Sequence, residues 1–266
     1  MDSYQNMFTS IDPGCVIILI DQSANTGVKE APGICMQANR LLSELGILCM
    51  KEDGIRNRVW LGMYGYSGAG VNWAAPELSP NSEGLVSISS LDEITMEIEY
   101  VEEEMFLPYV VSEQAFGDAP IVLALEKARE IAESFSLSHP DSFPPLVINI
   151  TAGDFGNVVE RDFLSACFDV TKVGPSDGAA LMIHWKVNSQ SKTTTLFPTS
   201  PEGLDASSNL MFQGSSMMPE IIKARLRANW GWDCGSYPRL FAENADLWVL
   251  LRGLWVSSEA VGLGEP

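Results

Sequence analysis

The chain reads as an α/β protein: a doubly wound, mostly parallel sheet flanked by helices, with a small helical extension after it. Three observations predict this. Cys15-Val-Ile-Ile-Leu-Ile-Asp21 is an uninterrupted β-branched and aliphatic run that ends in an acid, bounded by Pro13-Gly14 and Gly27. Such a run is the mark of a short strand covered on both faces. Leu146 to Thr151 repeats the pattern. Between and after these runs lie segments of helical periodicity, and strands alternating with helices argue for βαβ units.

In chain order, Pro32 to Met50 places Ile34, Ala38, Leu41, Leu42, Leu45 and Leu48 on one stripe, with Arg40 and Glu44 off it, which predicts an amphipathic helix. Arg58 to Tyr66 reads as a second strand closed by Ser67-Gly68-Ala69-Gly70. Ser87 to Ser90 and Glu97 to Val111 read as extended. Ile121 to Phe135 and Glu160 to Val173 read as helices, and Ala179 to Asn188 as a strand. From Thr193 the texture changes. Thr193 to Pro198 has the composition of a last strand, Glu202 to Phe212 and Pro219 to Asn229 read as helices, and Glu243 to Val256 as a final helix. The expected organisation is an α/β domain over 1–192, an extension packed on it over 193–256, and a frayed tail over 257–266.

Composition narrows the function. The net charge is −19 and no Lys/Arg-rich stretch interrupts the acidity, so binding to nucleic acid or anionic lipid is disfavoured. The five cysteines are scattered without a CxxC pair, and His139 and His184 are the only histidines, which speaks against a Cys/His zinc site and for free thiols in a reducing compartment. The start carries no basic and apolar leader pattern, and apolar runs are too short to span a bilayer, so a cytoplasmic location is expected.

Asp21, Ser23 and Asn25 fall where the first strand gives way to a loop, the position at which open α/β sheets bind ligands. Two readings stand open: oxygen ligands for a hard cation such as Mg²⁺, or a helix cap and turn. Asp154-Phe155-Gly156 spells a kinase metal triplet, but no kinase Gly-rich loop or catalytic loop accompanies it. An aspartyl phosphatase of the haloacid-dehalogenase type wants a second Asp where Ser23 stands. Glu97, Glu99, Glu102, Glu103 and Glu104 alternate with apolar residues as the solvated face of an edge strand would. Trp230, Trp232, Trp248 and Trp255 crowd the last 40 residues; most read as core, while Trp230-Gly231-Trp232 sits in a loop-like stretch open to an interface role.

Ile17 to Asn25 resembles the first strand and Asp-x-Ser-x-Ser loop of von Willebrand factor type A domains. Gly117-Asp118-Ala119-Pro120 is similar to that family's second loop, usually Gly-x-Thr-Pro, and Asn149-Ile-Thr-Ala152-Gly153-Asp154 to its third, usually Asn-Ile-Thr-Asp-Gly. Trp60 to Gly70 and Ala242 to Leu247 resemble a bacterial branch with a C-terminal extension. The resemblance implies a Rossmann-like fold and a metal-ion-dependent adhesion site for Mg²⁺. Here that site is degenerate: Asn25 replaces the second Ser, Ala119 the Thr and Ala152 the Asp, with Asp118 and Asp154 as neighbouring substitutes. It implies a non-enzymatic adaptor or assembly subunit that binds other proteins or copies of itself, in a setting of bacterial stress or conflict response. Asp21, Ser23, Asn25, Asp118 and Asp154 would form the metal and docking face, and Trp230 and Trp232 a second partner-binding surface. The competing function is a metal-dependent, phosphatase-like hydrolase using the Asp21 cluster.

Overall fold

The chain folds around one sheet whose central strand is the first run of the sequence. A computed structural model describes residues 3–94, 99–101, 104–106, 116–188, 194–247 and 249–251. Strand β1 (Gly14–Asp21) has every residue buried, as its apolar run requires. It leads through a 3₁₀ turn (Ala24–Thr26) into helix α1 (Gly27–Cys49). The helix thus begins at Gly27 rather than Pro32. Pro32 lies inside it, where its missing N–H forfeits one bond near the N-terminal end. A small hairpin, β2 (Met50–Lys51) with β3 (Gly54–Ile55), precedes β4 (Val59–Ser67).

The Gly-containing turn after Ser67 is the bend of a hairpin. Strand β5 (Gly70–Trp73) folds back antiparallel on β4, and β6 (Val86–Ser87) pairs with the other end of β4. Ser87 to Ser90 was expected to be extended; instead Ser87 caps a 3₁₀ helix (Ile88–Glu93), its hydroxyl accepting from Ser89 N–H. In the acidic stretch, strands β7 (Glu99–Val101) and β8 (Glu104–Phe106) form a two-stranded sheet of their own among the described residues, and the edge of the main sheet on that side is β5. The remainder of Glu97 to Val111 lies outside the described residues.

Helix α2 (Ile121–Ser138), β9 (Leu146–Thr151), α3 (Glu160–Val170) and β10 (Leu181–Lys186) follow in the expected order. Beyond them come β11 (Thr195–Leu196), α4 (Ala206–Gly214), α5 (Glu220–Trp230) and β12 (Phe241–Glu243). Strand β12 lies between β11 and β10, parallel to β10, and ends at Glu243, the residue from which a helix is expected. Residues 249–251 are helical, while Trp248, Trp255 and the rest of 252–266 lie outside the described residues.

The strand order is β11-β12-β10-β9-β1-β4-β5, eight strands with β6. Strands β12, β10, β9, β1 and β4 run parallel. This is a doubly wound, Rossmann-like sheet. Helices α1 and α5 cover one face through Ile34, Leu41, Leu45, Ile222 and Leu226. Helices α2, α3 and α4 cover the other through Leu125, Ala128, Phe135, Phe163 and Met211. Chain order reverses at β1, which lies between β4 and β9, so the carboxyl end of β1 is the topological switch point.

Candidate functional site at the carboxyl edge of the sheet

Asp21 closes β1 at the switch point and is fully buried. Three neutral groups hold its carboxylate. Oδ1 accepts from the Ser23 backbone N–H at 3.1 Å and the Ser23 hydroxyl at 2.7 Å; Oδ2 accepts from the Thr151 hydroxyl at 2.6 Å. Thr151 stands beside Asp21 because β9 pairs in register with β1, Ile150 opposite Ile20. Burial pushes the Asp21 pKa up, and the hydrogen bonds from Thr151 and Ser23 offset only part of that rise. Thr26 adds a fourth oxygen. It is 3 % exposed, its hydroxyl faces Asp21, and Oγ1 has no hydrogen-bond partner that meets normal geometry.

Three loops converge around this cluster. Ala24 N–H donates to the Gly117 carbonyl at 2.8 Å, Phe116 N–H to Gln22 at 3.1 Å, and Gly68 N–H to Phe116 at 2.8 Å. The approach of Gly68 and Gly117 is close enough to demand glycine: a Cβ on Gly117, whose φ is +59°, would stand 2.7 Å from the Gly68 Cα. Asn25 is half-buried and turned toward the third loop, its Nδ2 2.7 Å from where a Gly156 Cβ would sit.

The structure therefore joins Asp21 and Ser23, turns Asn25 against Gly156, and leaves Asp118 and Asp154 exposed. Asp154 Oδ1 accepts from Gly156 N–H at 2.9 Å in a local turn. Among the described residues no group of three or more His, Cys, Asp or Glu is arranged to hold a metal. The oxygens beside Asp21 come instead from Thr26 and Thr151, which motif reading missed. Thr151 was legible as the residue ending the neighbouring strand; nothing in the sequence marks Thr26 beyond its nearness to Ser23. These oxygens, one carboxylate and the buried hydroxyls around it, fit a hard cation in chemistry, and the single charge favours weak binding.

On the same face of the sheet a hydrogen-bonded chain runs inward. Tyr66 donates to Asn149 Oδ1 at 2.9 Å, so the Asn149 amide nitrogen faces His184 Nδ1 at 3.2 Å; that leaves the proton on Nε2, 3.5 Å from Cys167 Sγ. All four residues are essentially without solvent contact. Burial raises the Tyr66 and Cys167 pKa values and lowers that of His184 to about 3. The unfolded imidazole takes up its proton near pH 6.5 while the folded one stays neutral. The stability His184 contributes is thus whole above pH 6.5 and is lost as pH falls toward 3. Wild type should lose about 1–2 kcal/mol more than His184→Gln between pH 7 and 5, read from urea melts of both proteins at each pH.

Beside Thr151, across the β9–β10 pairing, Lys186 is 2 % exposed. Its ammonium donates to Asp205 at 2.7 Å and to the Ser207 and Ser208 hydroxyls at 2.9 Å, and lies 3.7 Å from Glu243, which is 4 % exposed. Burial pushes the Asp205 carboxyl up, but Lys186 and the α4 N-terminal donors outweigh it and hold the carboxyl below its usual range. Trp230 ends α5, Trp232 follows the Gly231 cap, and the two are 47 % and 38 % exposed; Trp232 lines a shallow cleft with Leu196, Phe197 and Cys234. The cysteines are all free, with Cys15, Cys49 and Cys167 buried.

No family model matches the chain, and no curated protein sequence matches it. Solved structures do resemble it at low identity. Proximal thread matrix protein 1 from the mussel byssus aligns with a TM-score of 0.43 and 14 % identity over 81 % of this chain. The pilus adhesin SpaC from Lactobacillus rhamnosus GG aligns at 0.44 and 9 % over 92 %. Manganese-loaded TRAP protein from Plasmodium vivax aligns at 0.35 and 13 % over 65 %. The chain spans 43 %, 29 % and 57 % of those three chains respectively, and at these scores the likenesses carry no function across.

Proposed function

We propose that the chain is a non-enzymatic, von Willebrand A-type interaction subunit that docks other proteins through the carboxyl edge of its sheet. One observation carries this reading. The oxygen cluster of Asp21, Ser23, Thr26 and Thr151 sits at the switch point, and residues of the same edge expose apolar side chains: Phe116, Leu123 and Val159 are 58 %, 55 % and 55 % exposed. Apolar anchors beside a preorganised polar cluster suit recognition of a protein surface. Asp21, Ser23 and Thr26 would hold a weakly bound divalent cation, with Thr151 orienting the carboxylate and Asn25, Asp118 and Asp154 on the rim. When bound, such a cation would offset the Asp21 carboxylate at the floor of the face and leave the rim carboxylates as its exposed charge. Trp230 and Trp232 form a candidate second surface. A bacterial stress or conflict-response setting belongs to the same proposal and rests on the resemblance of Trp60 to Gly70 and Ala242 to Leu247.

The test is thermal unfolding of chelator-treated protein with millimolar Mn²⁺ or Mg²⁺. A ligand that binds only the native state at 100 times its Kd adds about 2.7 kcal/mol, a visible rise in Tm. The rise should vanish in Asp21→Ala. Turnover of a generic phosphomonoester that is lost in Asp21→Ala would overturn the proposal and establish the hydrolase.

A further inference from the structure

We infer that the docking face takes a cationic, apolar-anchored segment of a partner protein, one that presents lysine or arginine beside leucine-like side chains. The inference rests on the docking reading above and specifies its partner. Two of the loops that converge on this edge carry exposed apolar residues: 116–120 holds Phe116 and leads to Leu123, and 152–159 ends in Val159. Phe116 lies across Gly68, its ring 3.3 Å from that glycine's missing Cβ. Leu123 is in the first turn of α2, and Val159 immediately precedes α3. Exposed large apolar side chains grouped at one edge mark an interaction surface.

Charge then selects the partner. Asp118, Asp154, Glu160 and Asp162 are exposed at the same edge. Among the described residues only Asp162 of these four has a cationic partner, Arg161, which is itself 87 % exposed. The buried cation nearest the cluster, Lys186, is occupied by Asp205, Ser207 and Ser208 and offers nothing outward. An apolar patch with surplus carboxylates on a chain of net charge −19 repels an acidic segment and steers a basic one toward it. The same charge disfavours a second copy of this chain as the occupant.

The experiment uses the full chain and two labelled 14-residue synthetic peptides of equal length, one alternating leucine with lysine and one leucine with glutamate, followed by fluorescence anisotropy. The lysine peptide should bind, and its Kd should weaken about tenfold or more in Phe116→Ser/Val159→Ser and in Asp118→Asn/Asp154→Asn. Glu52→Gln/Asp53→Asn removes the same charge at the opposite edge of the sheet and should change Kd by less than about twofold. All variants alter exposed side chains, and matching melting curves verify their fold. Equal weakening by all three charge and apolar variants would reduce the binding to general attraction and overturn the inference, as would unchanged Kd in the two face variants. Binding of the glutamate peptide with Mn²⁺, lost in Asp21→Ala, would overturn the basic partner while upholding docking. A dimer in light scattering that Phe116→Ser/Val159→Ser disperses would overturn it in favour of a second copy. Binding of neither peptide would count against both readings.

Discussion

Lys186→Met should destabilise the protein by about 3–5 kcal/mol, because removing one partner of a buried ion pair leaves the other charged and unpaired. The methionine fills the space of the lysine stem, so the loss is electrostatic rather than a cavity. Glu243, 4 % exposed, would keep only the Ser208 hydroxyl at 2.9 Å. The Asp205 side chain is 55 % exposed and can turn to water, so it adds little to the cost. Lys186→Met/Glu243→Gln should therefore recover about half or more of the loss, since the stranded charge is gone. Urea unfolding of the two variants and wild type measures both numbers. A loss under about 1 kcal/mol in Lys186→Met would mean that Glu243 finds water or a proton cheaply and that this network does not brace the edge.

Asn149→Ala should be nearly as damaging, at about 2–4 kcal/mol. Its amide is the shared link of the inner chain, accepting from Tyr66 and facing His184 at 3.2 Å. Deleting it strands the buried His184 Nδ1, which costs about 1–3 kcal/mol, and takes from the Tyr66 hydroxyl one of its two partners, Thr151 being the other, for about 1 kcal/mol more. Tyr66→Phe removes only one member and should cost about 1 kcal/mol. Denaturant melts separate the two. Equal losses in both variants would show that His184 has another partner and that the chain does not act as a connected unit.

These two networks mark where the sequence stops being legible. Strands β1 and β9 were legible because an unbroken β-branched run has little choice but burial on both faces, and Leu146–Thr151 was placed to the residue. Asp21 and Ser23 were legible because a polar residue at the end of such a run must be a turn or a site, and both lie in the cluster. Lys186 was not. A lysine ending a strand reads as solvated, and its partners Asp205 and Glu243 come from segments that meet it only through the sheet and α4. Glu243 was hidden for a related reason: it reads as the first residue of a helix, whereas it ends the short strand Phe241–Glu243 paired with β10 opposite Lys186. Thr26 and Thr151 carry no motif, since what brings them to Asp21 is one 3₁₀ turn and one strand register. In the second and third loops the reading placed acids near the site, yet a step of one or two residues along a loop redirects a side chain. Asp118 and Asp154 accordingly sit exposed, while Ala119 is buried and Ala152 half-buried.

The cluster beside Asp21 is the centre of the functional proposal, and the buried Thr26 hydroxyl that faces the carboxylate is its sharpest feature. A crystal soaked in Mn²⁺ tests it most directly, with anomalous scattering locating the ion. One anomalous peak is expected at the carboxyl end of β1, within bonding distance of the Ser23 and Thr26 hydroxyls and absent from Asp21→Ala crystals. No peak there, or a peak only elsewhere with the Thr26 hydroxyl bonded to a protein group, would contradict it.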